Sequence, residues 1–226
     1  MKLLLTSSGI SNRSIENALV DLLGKPIAES SALVCATGMY PFPDGGGGAW
    51  NAISGNTTTP FANAGWKSLG VLEPTALPSI KEENWVPTVR EADAVLVWGG
   101  HVMYLCYWLR QSGLADLIPT LEETVYVGVS AGSIAMTPHN PDYEFNLQWV
   151  AEGGDVTREG DRALGLVDFA LTVHVDREGF NTMADVEQWA AGIPVPTYAL
   201  DDESAIKVVD GEADVVSEGT WKLLTP

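Results

Sequence analysis

The sequence predicts a single α/β domain: a mostly parallel sheet flanked by helices, with a short antiparallel extension at the C-terminal end. Two observations lead to this prediction. Short apolar runs alternate with helix-capable segments, and several of the runs end in glycine-rich turns. A chain of 226 residues is long enough for one such core, and no repeat or composition shift divides it. Residues 1–226 are therefore predicted to form one domain.

Nine apolar runs predict strands. The first contains only three leucines, which is too few for the apolar core of a signal peptide. The last three are predicted to be antiparallel, and Asp210-Gly211 between the final two is typical of a hairpin turn. The predicted strands span residues 3–6, 32–37, 69–73, 94–98, 125–129, 166–173, 197–200, 205–209 and 213–216.

The first predicted helix has both of its ends marked in the sequence. Ser11 or Asn12 can cap it, and apolar residues then recur at the helical period. Gly24 and Pro26 end it, since a C-cap glycine and a following proline are typical of helix termini. Another helix is predicted over residues 103–111.

Residues 39–65 are too long for an ordinary connection between elements. They include two prolines, four consecutive glycines and a Thr-Thr-Thr-Pro run. Trp50 and Phe61 indicate that parts of the segment pack against the rest of the protein. A lid, an oligomer contact and an inert insertion all remain open.

The run around Ser130 is the strongest functional signal. An apolar strand leads into Gly-Val-Ser-Ala-Gly, and a helix-capable segment follows. This layout is typical of a nucleophile elbow, where a strained strand-to-helix turn presents the serine hydroxyl. The flanking Gly128 and Gly132 are required because a Cβ at either position would collide with the neighbouring element. The pattern predicts a serine hydrolase.

Composition excludes several other classes of function. A net charge of −18 argues against nucleic acid and against anionic membrane surfaces as partners. No apolar stretch reaches 18 residues, so no transmembrane helix is expected. Two isolated cysteines, Cys35 and Cys106, favour buried thiols in a reducing cytoplasm. The sequence lacks the usual metal and dinucleotide motifs, so neither a metal nor another cofactor is expected.

The nucleophile needs a base, and the chain has only three histidines. His174 is the leading candidate, because it follows a buried strand and can reach the sheet edge where Ser130 lies. His101 is a rival, since it follows the glycine turn Gly99-Gly100 after another strand. His139 lies in a polar run and is expected at the surface.

A third group must orient the histidine, and the oxyanion needs N–H donors. The N–H of Ala131 is predicted to stabilise the oxyanion together with that of Gly99 or Gly100. The carboxylate that orients the histidine is expected between Ser130 and His174. Asp142 and Glu144 are the candidates closest to the end of the helix that follows Ser130. The carboxylates in that interval are Asp142, Glu144, Glu152, Asp155, Glu159, Asp161 and Asp168.

These motifs resemble the dipeptidase E family and its cyanophycinase relatives, serine peptidases on a class I glutamine amidotransferase-like fold. The resemblance runs from the first strand through the glycine pair and the Ser130 elbow to His174. It implies Ser130 as nucleophile, His174 as base, and an oxyanion hole from Gly100 and Ala131. The amidotransferases carry cysteine in the elbow, so the serine argues against ammonia transfer.

The resemblance also places the acid soon after the nucleophile helix, which favours Glu144 over Asp142. His101 departs from the family, which commonly has asparagine after the glycine pair. Dipeptidase E cleaves short peptides with an N-terminal aspartate, a specificity that needs a cation in the pocket. Arg177 is the candidate cation, and a surface arginine is the open alternative.

The leading hypothesis is a cytoplasmic serine peptidase that acts on small peptides through an acyl-enzyme. An α/β-hydrolase-like esterase is the second, since that fold also orders its triad Ser, acid, His. A catalytically inactive binding or assembly protein is the third. Many compact hydrolases form two-fold dimers, so a homodimer is the expected assembly.

Overall fold

A computed structural model describes residues 1–141 and 162–226 of the chain. Over these residues the strands and helices alternate along most of the chain. The strands are β1 (Lys2–Thr6), β2 (Ser31–Cys35), β3 (Ser68–Val71), β4 (Ala94–Val97), β5 (Val125–Val129), β6 (Ala170–Thr172), β7 (Thr197–Leu200), β8 (Ser204–Val209), β9 (Glu212–Ser217) and β10 (Trp221–Leu224). The α-helices are α1 (Arg13–Leu23), α2 (Gly45–Ser54), α3 (Val86–Glu91), α4 (Val102–Gln111), α5 (Leu114–Leu117), α6 (Ala131–Ile134) and α7 (Met183–Ala190).

The main sheet has seven strands in the order β3-β2-β4-β5-β1-β8-β9. The first five run parallel, and β8 and β9 are added antiparallel to β1. Strand β5 lies between β4 and β1, so the carboxyl ends of all three meet at one point of the sheet edge. Ligands of open α/β sheets bind beyond the carboxyl ends of strands.

Apolar side chains pack on both faces of the main sheet. In β1, Leu3 and Leu5 belong to one cluster and Leu4 to the other, because successive side chains of a strand point to opposite faces. Helix α1 covers the second face with residues that include Ile15 and Leu19. Burial on both faces explains why the parallel strands have continuous apolar sequences.

A second, three-stranded sheet has the order β10-β7-β6. Strands β6 and β7 pair in parallel, with Thr172 opposite Ala199. Strand β10 is antiparallel to β7. The carboxyl ends of β6 and β7 are therefore neighbours, which positions the residues that follow them.

The predicted α/β class is confirmed, and most predicted strands agree with the structure to within two residues. The run 166–173 is the exception, because only Ala170–Thr172 is strand. Asn12 caps α1, its side chain accepting from the N–H of Ile15 at 3.0 Å, and Gly24 ends the helix in the left-handed conformation.

The C-terminal region corrects one detail of the predicted architecture. Strands β8 and β9 form the expected hairpin and extend the main sheet in the antiparallel sense, as predicted. Strand β7 pairs in parallel with β6 instead of joining that hairpin. Partner choice depends on contacts between distant residues, which the local apolar pattern does not contain.

Residues 39–65 contain a helix that the sequence analysis missed. The four glycines begin α2, although glycine is a weak helix former. Close packing accounts for Gly45, where a Cβ would lie 2.2 Å from the carbonyl oxygen of Met39; a Cβ on Gly48 would meet only the movable methyl group of Met39, at 2.5 Å, and one on Gly46 would meet nothing within 4 Å. Among the described helices, none is long and apolar enough to cross a membrane.

Candidate active site

Ser130 occupies a strained turn between β5 and α6. Its backbone has φ 52° and ψ −115°, a conformation that costs a non-glycine residue roughly 1–3 kcal/mol. Hydrogen bonds on both sides hold the turn: the N–H of Ser130 donates to the Thr6 carbonyl at 3.1 Å, and its carbonyl accepts from Ser133 at 2.9 Å and from Ile134 at 3.0 Å. Ser130 therefore lies in a sharp, strained turn that leads directly from a strand into a helix.

The two glycines that flank Ser130 are sterically required. A Cβ on Gly128 would lie 2.7 Å from the backbone of Gly132 and Ser133. A Cβ on Gly132 would lie 2.1 Å from the carbonyl oxygen of Val97 in β4. The elbow therefore packs backbone against backbone, as the sequence pattern predicts.

The glycine turn after β4 lies against Ser130. A Cβ on Gly99 would be 3.1 Å from the Ser130 Cβ and 3.6 Å from its Oγ. Gly100 has φ 129°, and a Cβ there would lie 2.3 Å from the carbonyl oxygen of Gly38. Gly100 must therefore be glycine, whereas a Cβ on Gly99 would require only a small shift of Ser130, and the turn brings backbone groups beside the serine hydroxyl.

His174 follows β6 by two residues and is buried. Its N–H donates to the Ser7 hydroxyl at 2.9 Å, which helps to hold its backbone at the unusual φ of 56°. The ring packs against Phe180 with their centroids 4.7 Å apart. On the side of Nδ1, the ring is hydrogen-bonded to the carboxylate of Asp202.

Asp202 reaches His174 because β6 and β7 are parallel neighbours. It follows the end of β7 by two residues, as His174 follows the end of β6. One carboxylate oxygen bonds the imidazole and accepts from the Ser7 hydroxyl at 3.2 Å. The other accepts from the Arg177 guanidinium at 3.3 Å.

Ser7, which follows a strand of the main sheet, contacts both His174 and Asp202. It lies just after β1, and it is fully buried. The Ser7 hydroxyl accepts from the His174 N–H and donates to Asp202, so this one side chain helps to position both residues. Its own N–H donates to the Ser204 carbonyl at 3.1 Å.

Ser130 and His174 open into the same cavity of about 780 Å³. The Gly99-Gly100 turn and Asp202 also line it. Segment 39–65 forms another part of its wall and contributes Met39, Gly48, Asn51, Ala52, Asn56, Thr57, Thr58 and Thr59. The long segment is therefore part of the site.

The sequence is similar to one family of known proteins. The model of Peptidase family S51 matches residues 52–216, which is most of the sequence. The chain belongs to Peptidase family S51. The family assignment confirms the resemblance to dipeptidase E and makes the protein a serine-type peptidase, a hydrolase. Among curated proteins, the comparison found no match.

Two solved structures share the fold of this S51 peptidase. A crystal structure of a protein assigned to peptidase E from Listeria monocytogenes EGD-e has a TM-score of 0.59 and 18% identity, covering 96% of this chain and 98% of that one. A peptidase from an acI-B1 actinobacterium has a TM-score of 0.57 and 12% identity, covering 99% and 93%. At these identities the similarity concerns the fold.

The structure of this S51 peptidase brings Ser130, His174 and Gly100 together. The favoured acid, Glu144, and its alternative, Asp142, lie outside the described residues. Asp168, another carboxylate between elbow and base, is exposed just before β6. Within residues 1–141 and 162–226, the carboxylate that contacts His174 is Asp202, which the sequence analysis did not predict.

Two features of the chain explain why Asp202 is not among the predicted carboxylates. All of the predicted carboxylates precede His174 in the chain, whereas Asp202 comes 28 residues after it. The available signal was a second apolar run ending in two aspartates, at 197–202, which resembles the run that ends at His174. That signal required knowing that the two strands pair.

The other two histidines, His101 and His139, make contacts with nearby elements of the fold. His101 is buried and caps α4, with Nδ1 accepting from the N–H of Tyr104 at 3.2 Å. His139 is half-buried and forms a β-bridge with Arg162. Over residues 1–141 and 162–226, no group of three or more histidine, cysteine or carboxylate side chains is arranged to hold a metal ion.

Proposed function

We propose that this protein hydrolyses short peptides through an acyl-enzyme formed on Ser130. The observation that supports the proposal most is the hydrogen bond between Asp202 and Nδ1 of His174, beside the cavity that also contains Ser130. A carboxylate on Nδ1 favours the tautomer with its proton there, which leaves Nε2 as the proton acceptor.

The reaction follows from these roles. His174 takes the proton of the Ser130 hydroxyl as Oγ attacks the peptide carbonyl, and the negative charge moves to the carbonyl oxygen. The N–H groups of Ala131 and Gly100 are the proposed donors to this oxyanion. His174 then gives its proton to the leaving amine, and a water molecule hydrolyses the ester by the same sequence. Asp202 stays ionised and holds the imidazole in place.

The size of the cavity supports short substrates. A volume of about 780 Å³ lies within the range of roughly 300–1,000 Å³ that is common for small-ligand sites. The S51 assignment favours peptides over simple esters as natural substrates. The strain retained at Ser130 favours an active site over an inactive binding surface, because such strain is commonly kept where it serves chemistry.

Peptidase assays on single-site variants test the proposal. Ser130→Ala and His174→Ala are each expected to lower kcat for a cleaved dipeptide by roughly 10⁴-fold or more. Asp202→Asn preserves the shape but favours the wrong tautomer, and a loss on the order of 10³–10⁴ is expected.

Glu144→Gln is the matched comparison, because it removes the carboxylate that the sequence pattern favoured. We expect it to retain kcat within about threefold. A large loss with Glu144→Gln and none with Asp202→Asn would assign the orienting role to Glu144 instead.

A further inference from the structure

The cavity contains one arginine among its described lining residues, and that arginine is already engaged. Arg177 donates from Nη1 to the Asp202 carboxylate at 3.3 Å. Its guanidinium also lies over the ring of Phe180, 5.1 Å from the centroid. Asp202 offsets its charge and the ring covers one of its faces, so Arg177 adds no uncompensated positive charge to the cavity, although half of its side chain is exposed.

A second carboxylate faces the same cavity without a cation beside it. Glu203 is an exposed lining residue next to Asp202 in the chain. Its Oε2 accepts from the neutral Asn12 amide at 3.1 Å. Within the described ranges, no Lys or Arg side chain forms an ion pair with it. Arg177 and Asp202 offset one another, so Glu203 leaves these lining side chains with a net negative charge.

The wall formed by segment 39–65 carries uncharged polar groups. Asn51 and Asn56 present amides, and they hydrogen-bond each other at 3.2 Å. Thr57 and Thr58 add hydroxyls, and the Thr57 hydroxyl donates to the Thr59 carbonyl at 2.8 Å. Amides and hydroxyls can both donate and accept, so this wall suits a neutral polar side chain.

We infer that the cavity binds peptides with an uncharged polar side chain on the acyl side of the scissile bond and rejects acidic ones. An incoming carboxylate would face Glu203 and would find Arg177 bonded to Asp202. A neutral amide of the same shape would bond the asparagine and threonine wall without repulsion. This inference rests on the proposed function, and it differs from the N-terminal aspartate specificity that the family resemblance implies.

Isosteric substrates test the inference. The kcat/KM values of asparagine and aspartate p-nitroanilides are compared at low ionic strength, and so are those of the glutamine and glutamate pair. We expect the amide of each pair to be cleaved at least tenfold better. Equal rates, or a preference for the acid, would overturn the inference.

A second readout does not require turnover. Ser130 is labelled with a fluorophosphonate in the presence of Asn-Leu or Asp-Leu, and the labelling rate is followed by intact mass. Asn-Leu should protect at a concentration at least tenfold lower. Protection by Asp-Leu alone, or by neither dipeptide, would contradict the inference. Absence of labelling without peptide would instead contradict the proposed function, so the two failures are distinguishable.

Glu203→Gln tests the origin of the selectivity. The glutamine keeps an acceptor for Asn12 and removes the charge, so the Asn/Asp ratio of kcat/KM should fall at least threefold. Glu212→Gln, an exposed carboxylate on β9 outside the cavity, changes the net charge equally and should leave the ratio unchanged. An equal change in both variants would refute the role of Glu203.

Discussion

Ser7→Ala is the substitution that tests how His174 and Asp202 are held together. The Ser7 hydroxyl is buried, accepts from the His174 N–H at 2.9 Å and donates to Asp202 at 3.2 Å. Alanine removes only this oxygen, so the surrounding packing is retained. The variant separates hydrogen bonding from side-chain volume.

The magnitude follows from the two lost bonds. A hydrogen bond to a charged group contributes about 1.5–3 kcal/mol, and a buried N–H left without a partner costs about 1–3 kcal/mol. We therefore expect Ser7→Ala to lower the free energy of unfolding by roughly 2–4 kcal/mol. In the folded fraction, the loosened Asp202 and His174 should lower kcat by roughly 10- to 100-fold, equivalent to about 1.4–2.7 kcal/mol.

Urea unfolding and peptidase kinetics are measured on the same preparations. Ser112→Ala is the matched control, since Ser112 is also buried and its hydroxyl donates to the Leu109 carbonyl at 3.2 Å, away from the cavity. The control should lose about 1 kcal/mol of stability and keep its kcat. A Ser7→Ala enzyme that loses stability but keeps kcat within twofold would refute the positioning role.

Three further outcomes follow from the fold. Gly132→Ala should destabilise the protein by on the order of 3 kcal/mol, because its Cβ would lie 2.1 Å from the Val97 carbonyl oxygen; unchanged urea midpoints would contradict this. Burial acts to raise the pKa of Asp93, but hydrogen bonds, including one from Lys25, lower it overall. Asp93→Asn should therefore lower the free energy of unfolding by about 1 kcal/mol at pH 7. The difference in stability between parent and variant should disappear as the pH falls below the ordinary pKa of an aspartate and Asp93 becomes protonated. A difference in stability that stays constant across pH would contradict this. Burial raises the pKa of the Cys35 thiol to about 11, so iodoacetamide at pH 8 should modify it only after unfolding, as read by mass.

The elbow was predictable because its requirements are local. Gly128 and Gly132 lie two residues on either side of Ser130, so the motif can be read from one short stretch of sequence, and the strand that leads into it has a continuous apolar pattern. The helix cap at Asn12 was predictable for the same reason. The Asp202–His174 bond depends on the pairing of β6 with β7, and no property of either residue alone indicates it.

Helix α2 shows where local propensity misleads. Four glycines predict a loop, but the segment is helical, and at Gly45 the carbonyl oxygen of Met39 leaves no room for a larger side chain. Ala49 and Ala52 of the same helix are buried in a cluster with Ala36. Tertiary packing therefore overrides propensity at the wall of the cavity.

Labelling with a fluorophosphonate, read by intact mass, tests the central claim most directly. The account predicts one label per chain in the parent, none in Ser130→Ala, and strongly slowed labelling in His174→Ala and Asp202→Asn. Labelling of Ser130 at the parent rate in both the His174 and Asp202 variants, or no labelling of the parent, would contradict it.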